Sequence, residues 1–240
     1  MKSMGSCETR RDTGVRPPLP PMVGLGHLRG SGFYNTASSP FRETMRKIEA
    51  GEAPFEPHLA KYEDEPPFTT EWIDANTSLE VLGRVCVSML SAALKLYLNT
   101  WRAHLRIELQ PSEKTLFNKH GFLNGYKQLL AERLSIKWAE CPADLAVLEQ
   151  VILARNQDQH PDSITRQSVN YRREDLAKFA QPFFMSETDQ KIFADPALAG
   201  NRFFSFRVHV TAERLLAAIK EVETLTDWLE PCLIEHRWQR

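Results

Sequence analysis

The chain reads as a mainly α-helical protein, and three observations carry that reading. Apolar residues recur at spacings of three and four over several long stretches beyond residue 67. Capping residues and prolines stand at the edges of those stretches. Only one short segment, Phe204 to Val210, alternates apolar and polar residues as a half-buried strand does. With 240 residues and 42 % hydrophobic content, the chain has room for one globular domain and an extension. The boundary falls between 1–66, a polar, Pro/Gly-rich and largely irregular extension, and 67–240, a helical bundle of four to five helices with a small β-insertion.

The extension carries PPLPP at Pro17 to Pro21, a glycine-rich run at Gly24 to Gly32, and further prolines up to Pro66 and Pro67. Such composition buries too little apolar surface to offset chain entropy. One short helix is expected from Pro40 to Ala50, where Phe41, Met45 and Ile48 keep helical spacing and Gly51 provides a stop. The glycine-rich run lacks the Lys-Ser/Thr of a phosphate-binding loop and no strand precedes it.

The first strong helix is expected to start near Asp74 to Ser78, with Asn76, Thr77 and Ser78 as candidate caps, and to run to about His104. Leu79, Leu82, Cys86, Met89, Ala93 and Leu96 form its apolar stripe. A second helix is expected over Phe117 to Trp138, with Leu123, Tyr126, Leu130 and Leu134 on one face. The third opens with Pro142 and Asp144 and ends before Pro161; Leu145, Leu148 and Ile152 line one side. A β-element follows at Phe204 to Val210, with a partner expected near Phe183 to Ile192. Thr211 then caps a last amphipathic helix through Leu215, Ile219, Val222, Leu225 and Leu229, ended by Pro231.

Charge and cysteine usage narrow the function classes. Lys+Arg at 30 against Asp+Glu at 31 leaves no global field to steer the protein onto nucleic acid or an anionic membrane, so a polyanion site must be local. Cys7, Cys86, Cys141 and Cys232 are widely separated and include no C-x-x-C pair, which argues for free thiols rather than a zinc or redox motif. No apolar run follows the first charges, and Arg84 and Lys95 interrupt the stretch Leu79 to Leu98. Each charge at the centre of a lipid-exposed helix costs roughly 2.5–3.5 kcal/mol, so a core helix and a cytoplasmic protein are expected, with no membrane partner.

At the end of the third helix the sequence runs ARNQDQHPDSI, with Arg155, Asn156 and His160 closing an otherwise apolar helix. This pattern of arginine, polar residue and then histidine after four intervening positions near a helix end resembles the HEPN superfamily. The resemblance covers at most Asp74 to Arg240 and implies an HEPN-like bundle acting as a metal-independent endoribonuclease of toxin or defence type. It also implies a symmetric homodimer in which the two motifs face each other across a groove.

The chemistry suits those residue types. Histidine titrates nearest neutral pH and serves as general acid or base on an RNA 2′-hydroxyl or leaving oxygen. Arg155 can hold a phosphate bidentately and stabilise its developing charge, with Asn156 orienting the scissile group. At about 100° per residue, Asn156 and His160 share a helix face while Arg155 sits roughly 140° from His160, so one straight helix does not aim both at one point. No cofactor or metal is expected; His58, His104 and His120 have no carboxylate or cysteine at ligand spacing. The expected partners are RNA, a second copy and an antitoxin or other protein. The alternative is a catalytically inactive helical domain that binds a partner protein or nucleotide, with Arg155 and His160 only complementing helix-end carbonyls.

Overall fold

The computed structural model describes residues 30–56, 66–159, 169–179, 181–195, 198 and 205–238, and among these the protein is mainly helical. The first helix, α1 (Gly30–Ala50), starts ten residues before the expected Pro40 and carries that proline inside it. It lies within the stretch expected to be irregular, yet Tyr34 and Ser38 are buried against the bundle. Gly51 ends it in the left-handed conformation (φ 63°), and Arg46 ties the last turn to the following bend through Glu43 at 2.8 Å and Glu52 at 2.7 Å. Residues 1–29, and with them Cys7 and most of the glycine-rich run, lie outside the described residues.

The central element is α2 (Thr69–His104), 36 residues long. Pro66, Pro67 and a left-handed Phe68 (φ 63°) set its start, so Asn76, Thr77 and Ser78 fall inside the helix rather than capping it. Cys86, Val87, Leu90, Leu94, Leu98 and Trp101 form its buried face. By length and composition α2 is apolar enough to cross a membrane, and half of its most apolar window is buried inside the protein. The opposite face leaves Val81, Val85, Met89 and Leu96 exposed in one line.

Where a single helix was expected over Phe117 to Trp138, the chain forms two and a short 3-10 turn. Gly121 (φ 84°) ends α3 (Pro111–His120) and precedes α4 (Phe122–Leu134); Ser135, also left-handed, stops α4 before the turn at Trp138–Glu140. A capping box of Gln110 and Glu113 starts α3, and Arg133 of α4 reaches the buried Glu113 at 2.8 Å. The next helix, α5 (Leu145–Gln159), begins after Asp144, whose carboxylate accepts from the backbone N–H of Ala146 at 2.9 Å and Val147 at 3.2 Å. Leu148, Val151 and Ala154 bury α5 against α2 and the last helix.

The expected β-insertion is reduced to an isolated antiparallel bridge, Asn170 with Arg207, among the described residues. Phe206, Val208 and Val210 are buried and Ser205 and Arg207 exposed, as their alternation requires. Their partner is the segment 169–171, through Tyr171 N–H to Phe206 O and Val208 N–H to Val169 O, both 2.8 Å. The segment expected to pair, Phe183 to Ile192, gives one backbone bond, His209 N–H to Phe184 O at 2.9 Å, and otherwise enters α7 (Glu187–Ala194), capped by Ser186, after the single turn α6 (Arg173–Leu176). Thr211 caps α8 (Ala212–Trp238), accepting from Arg214 N–H at 3.2 Å. This helix passes through Pro231, where an end was expected. Leu229 and Leu233, one turn apart, are both fully buried, and that packing offsets the hydrogen bond the proline cannot make.

Candidate functional site

The described part of the motif stands at the C-terminal end of α5. Asn156 is exposed and lines a groove of about 500 Å3, whose wall also includes Lys95 of α2, Lys119 and His120 at the end of α3, and Asn124 of α4. Arg155 is partly buried beside it. Its Nη1 donates to Asn156 Oδ1 at 3.4 Å, and its buried Nε has no hydrogen-bond partner among the described residues. His160 lies outside the described residues, so the arginine and asparagine are placed and the histidine is not.

Electrostatics single out the α2–α5 contact. Burial, and the Arg155 guanidinium nearby, hold the Lys95 ammonium below the usual lysine range. Lys95 lies 5.5 Å from the centre of the Phe122 ring, a cation–π contact, and has no carboxylate within salt-bridge distance among the described residues. Two cations are thus held together where water is partly excluded, an arrangement an anion relieves. The groove carries three lysines, Lys95, Lys119 and Lys178, against Glu149 and Asp175, and Asp175 is already held by Lys178 at 2.7 Å. A phosphate-bearing ligand fits this set by charge and size; the asparagines add donors for its oxygens.

The sequence singles out Arg155 and Asn156 and does not mark Lys95, Lys119 and Lys178 as groove residues, because a lone lysine carries no pattern of its own. His120 was considered only as a metal ligand. One local signal was available: a histidine followed by glycine is a helix-stop signature, and reading it would have broken the helix at Gly121 and brought His120 to a helix end. A second cavity, of about 580 Å3, lies where α1 meets α2 and is lined by Ile48, Phe55, Phe68 and Trp72. Its main polar contact is structural, Trp72 Nε1 donating to Glu49 Oε1 at 2.9 Å. Compared with known proteins, the chain matches no family model, no curated protein and no solved structure, so the site is read from its own residues.

Proposed function

We propose that this protein is a metal-independent endoribonuclease of the HEPN type, of toxin or defence kind, acting in the cytoplasm at the groove beside Arg155 and Asn156. The observation that carries the reading is Lys95 on the wall of that groove, held near the Arg155 guanidinium and without a carboxylate partner among the described residues. A scissile phosphate would neutralise both, Arg155 stabilising the charge that develops on its oxygens. Asn156 would bond the same group, and His160, which follows α5 in the sequence, would move a proton. A helix that carries Arg155 and Asn156 in its last turns and packs on a long central helix and a C-terminal one supports the resemblance.

A second copy completes the reading, because Arg155 and His160 diverge on one straight helix. The exposed line of Val81, Val85, Met89 and Leu96 on α2 suits a self-complementary apolar contact, and Leu96 adjoins Lys95 at the groove. The same line favours the second reading, a catalytically inactive domain that holds a partner protein such as an antitoxin.

The test uses the full chain on a labelled RNA in EDTA. Cleavage that leaves 2′,3′-cyclic phosphate ends is expected, from a protein sedimenting as a dimer. Activity abolished by EDTA and restored by magnesium would remove the mechanism, and an active monomer would remove the composite site.

A further inference from the structure

We infer that His120 is a proton-transferring group of this groove, acting from the end of α3; the inference rests on the nuclease reading. Its basis is a juxtaposition created by the fold: the end of α3 and the last turns of α5 line one cavity of about 500 Å3. Gly121, at φ 84°, breaks the chain between α3 and α4, so His120 closes a helix at the rim instead of continuing along a helix face. Phe117 fixes α3 there. Its ring lies edge-on to Phe122 and Tyr126, and a β-carbon on Gly125 would stand only 2.6 Å from it.

The other described histidines are placed elsewhere. His104 meets Arg237 at 3.2 Å and packs on Trp101, His209 faces Glu80 at 4.0 Å, and His236 is in the last turns of α8. The His120 ring is exposed and has no hydrogen-bond partner among the described residues; only its backbone carbonyl is engaged, accepting from Asn124 Nδ2 at 3.4 Å. The charged and amide groups that line the groove with it include Lys95 of α2, Glu149 and Asn156 of α5, and Asp175 and Lys178 around the end of α6, with Lys119 beside it on α3.

Cleavage by internal transfer needs two proton movements. A base takes the 2′-hydroxyl proton as O2′ bonds to phosphorus, and an acid returns a proton to O5′ as the P–O5′ bond breaks. Charge and atoms balance with no external reactant beyond the RNA. Two groups divide these steps, and His120 supplies one of them.

The experiment measures single-turnover cleavage of a ribo-oligonucleotide in EDTA across about pH 5 to 9, the range in which imidazole titrates. Both His120→Ala and His120→Asn are expected to slow cleavage about a hundredfold or more and to flatten one limb of the pH profile. His236→Ala should keep the rate and both limbs. Independently, the His120 imidazole resonance should move when a 2′-deoxy oligonucleotide binds the wild type. A wild type that cleaves, with His120 variants retaining rate and both limbs, overturns the assignment and leaves the nuclease reading standing. A wild type that cleaves no RNA overturns both together.

Discussion

The corner cavity between α1 and α2, about 580 Å3, is walled by Ile48, Phe55, Pro67, Phe68 and Trp72, whereas the groove at the end of α5, about 500 Å3, gathers Lys95, Lys119, His120, Asn124 and Asn156. Their sizes are close and their chemistry is opposite. In the corner, the charged Glu49 is answered by the Trp72 indole, and aromatic edges fill the remainder. In the groove, Lys95 is disfavoured in its charged form by burial and by the Arg155 guanidinium, which the packing of α2 on α5 keeps nearby. Volume alone therefore says little about where a ligand belongs. Unrelieved charge, held by a well-packed core, says more.

The largest expected effect follows from that contrast. Replacing Arg155 by Ala should lower RNA cleavage by about a hundredfold to a thousandfold, the scale of losing one preorganised charge stabiliser, while the melting temperature stays level or rises. His160→Ala should behave alike, and both variants should remain dimers. If either melts lower by the equivalent of about 0.3–1 kcal/mol and keeps full activity, the pair only terminates α5.

Two glycines sharpen the comparison at the next scale. A β-carbon on Gly83 would lie 2.9 Å from the Val210 carbonyl oxygen, a backbone atom that cannot turn aside, whereas the one on Gly125 meets the Phe117 ring. Gly83→Ala should cost about 1–3 kcal/mol by chemical denaturation and leave cleavage by the folded fraction intact. Gly125→Ala should push α3 outward, moving His120, so its activity falls by more than its stability accounts for. Equal behaviour of the two variants would break the claim that α3 forms a wall of the site.

The smallest effect concerns Lys95. With its folded-state value below the lysine reference of 10.5, the unfolded chain binds the proton more tightly, so this residue lowers stability at neutral pH and the penalty fades as pH rises toward and through 10.5. Lys95→Met should therefore raise stability slightly at pH 7, by about 0.5 kcal/mol or less, and weaken the salt dependence of RNA binding. The gain should shrink in alkaline buffer. In the corner cavity, Glu49→Gln removes a carboxylate away from the groove, and RNA binding should not respond.

Much of the fold was legible where the signal is local. Thr211 caps the helix it was expected to start, Gly51 stops α1, and Phe206, Val208 and Val210 turn inward as their alternation required, whereas α5 begins at Leu145 behind an Asp144 cap and leaves Pro142, expected in its first turn, outside it. The failures share a cause. Pro231 carries a strong stop signal, yet the burial of Leu233 beyond it outweighs one missing hydrogen bond. Asn76 to Ser78 carry a start signal, overruled by Pro66, Pro67 and Phe68 about two to three turns earlier. In each case a local preference of about 1–3 kcal/mol met a competing term that the local pattern does not contain.

The amino-acid order alone determined the helical character, several caps and the Arg155–Asn156 pair, because each depends on residues within four or five positions of one another, where backbone hydrogen bonds and neighbouring side chains interact directly. Only tertiary structure decided that Lys95 would stand beside Arg155, and that His120 would share a groove with Asn156. Those meetings depend on how α2, α3 and α5 pack and on the break at Gly121. A cation on a helix has no sequence mark for the partner it will face, since the core that forces two charges together is assembled from residues far from either.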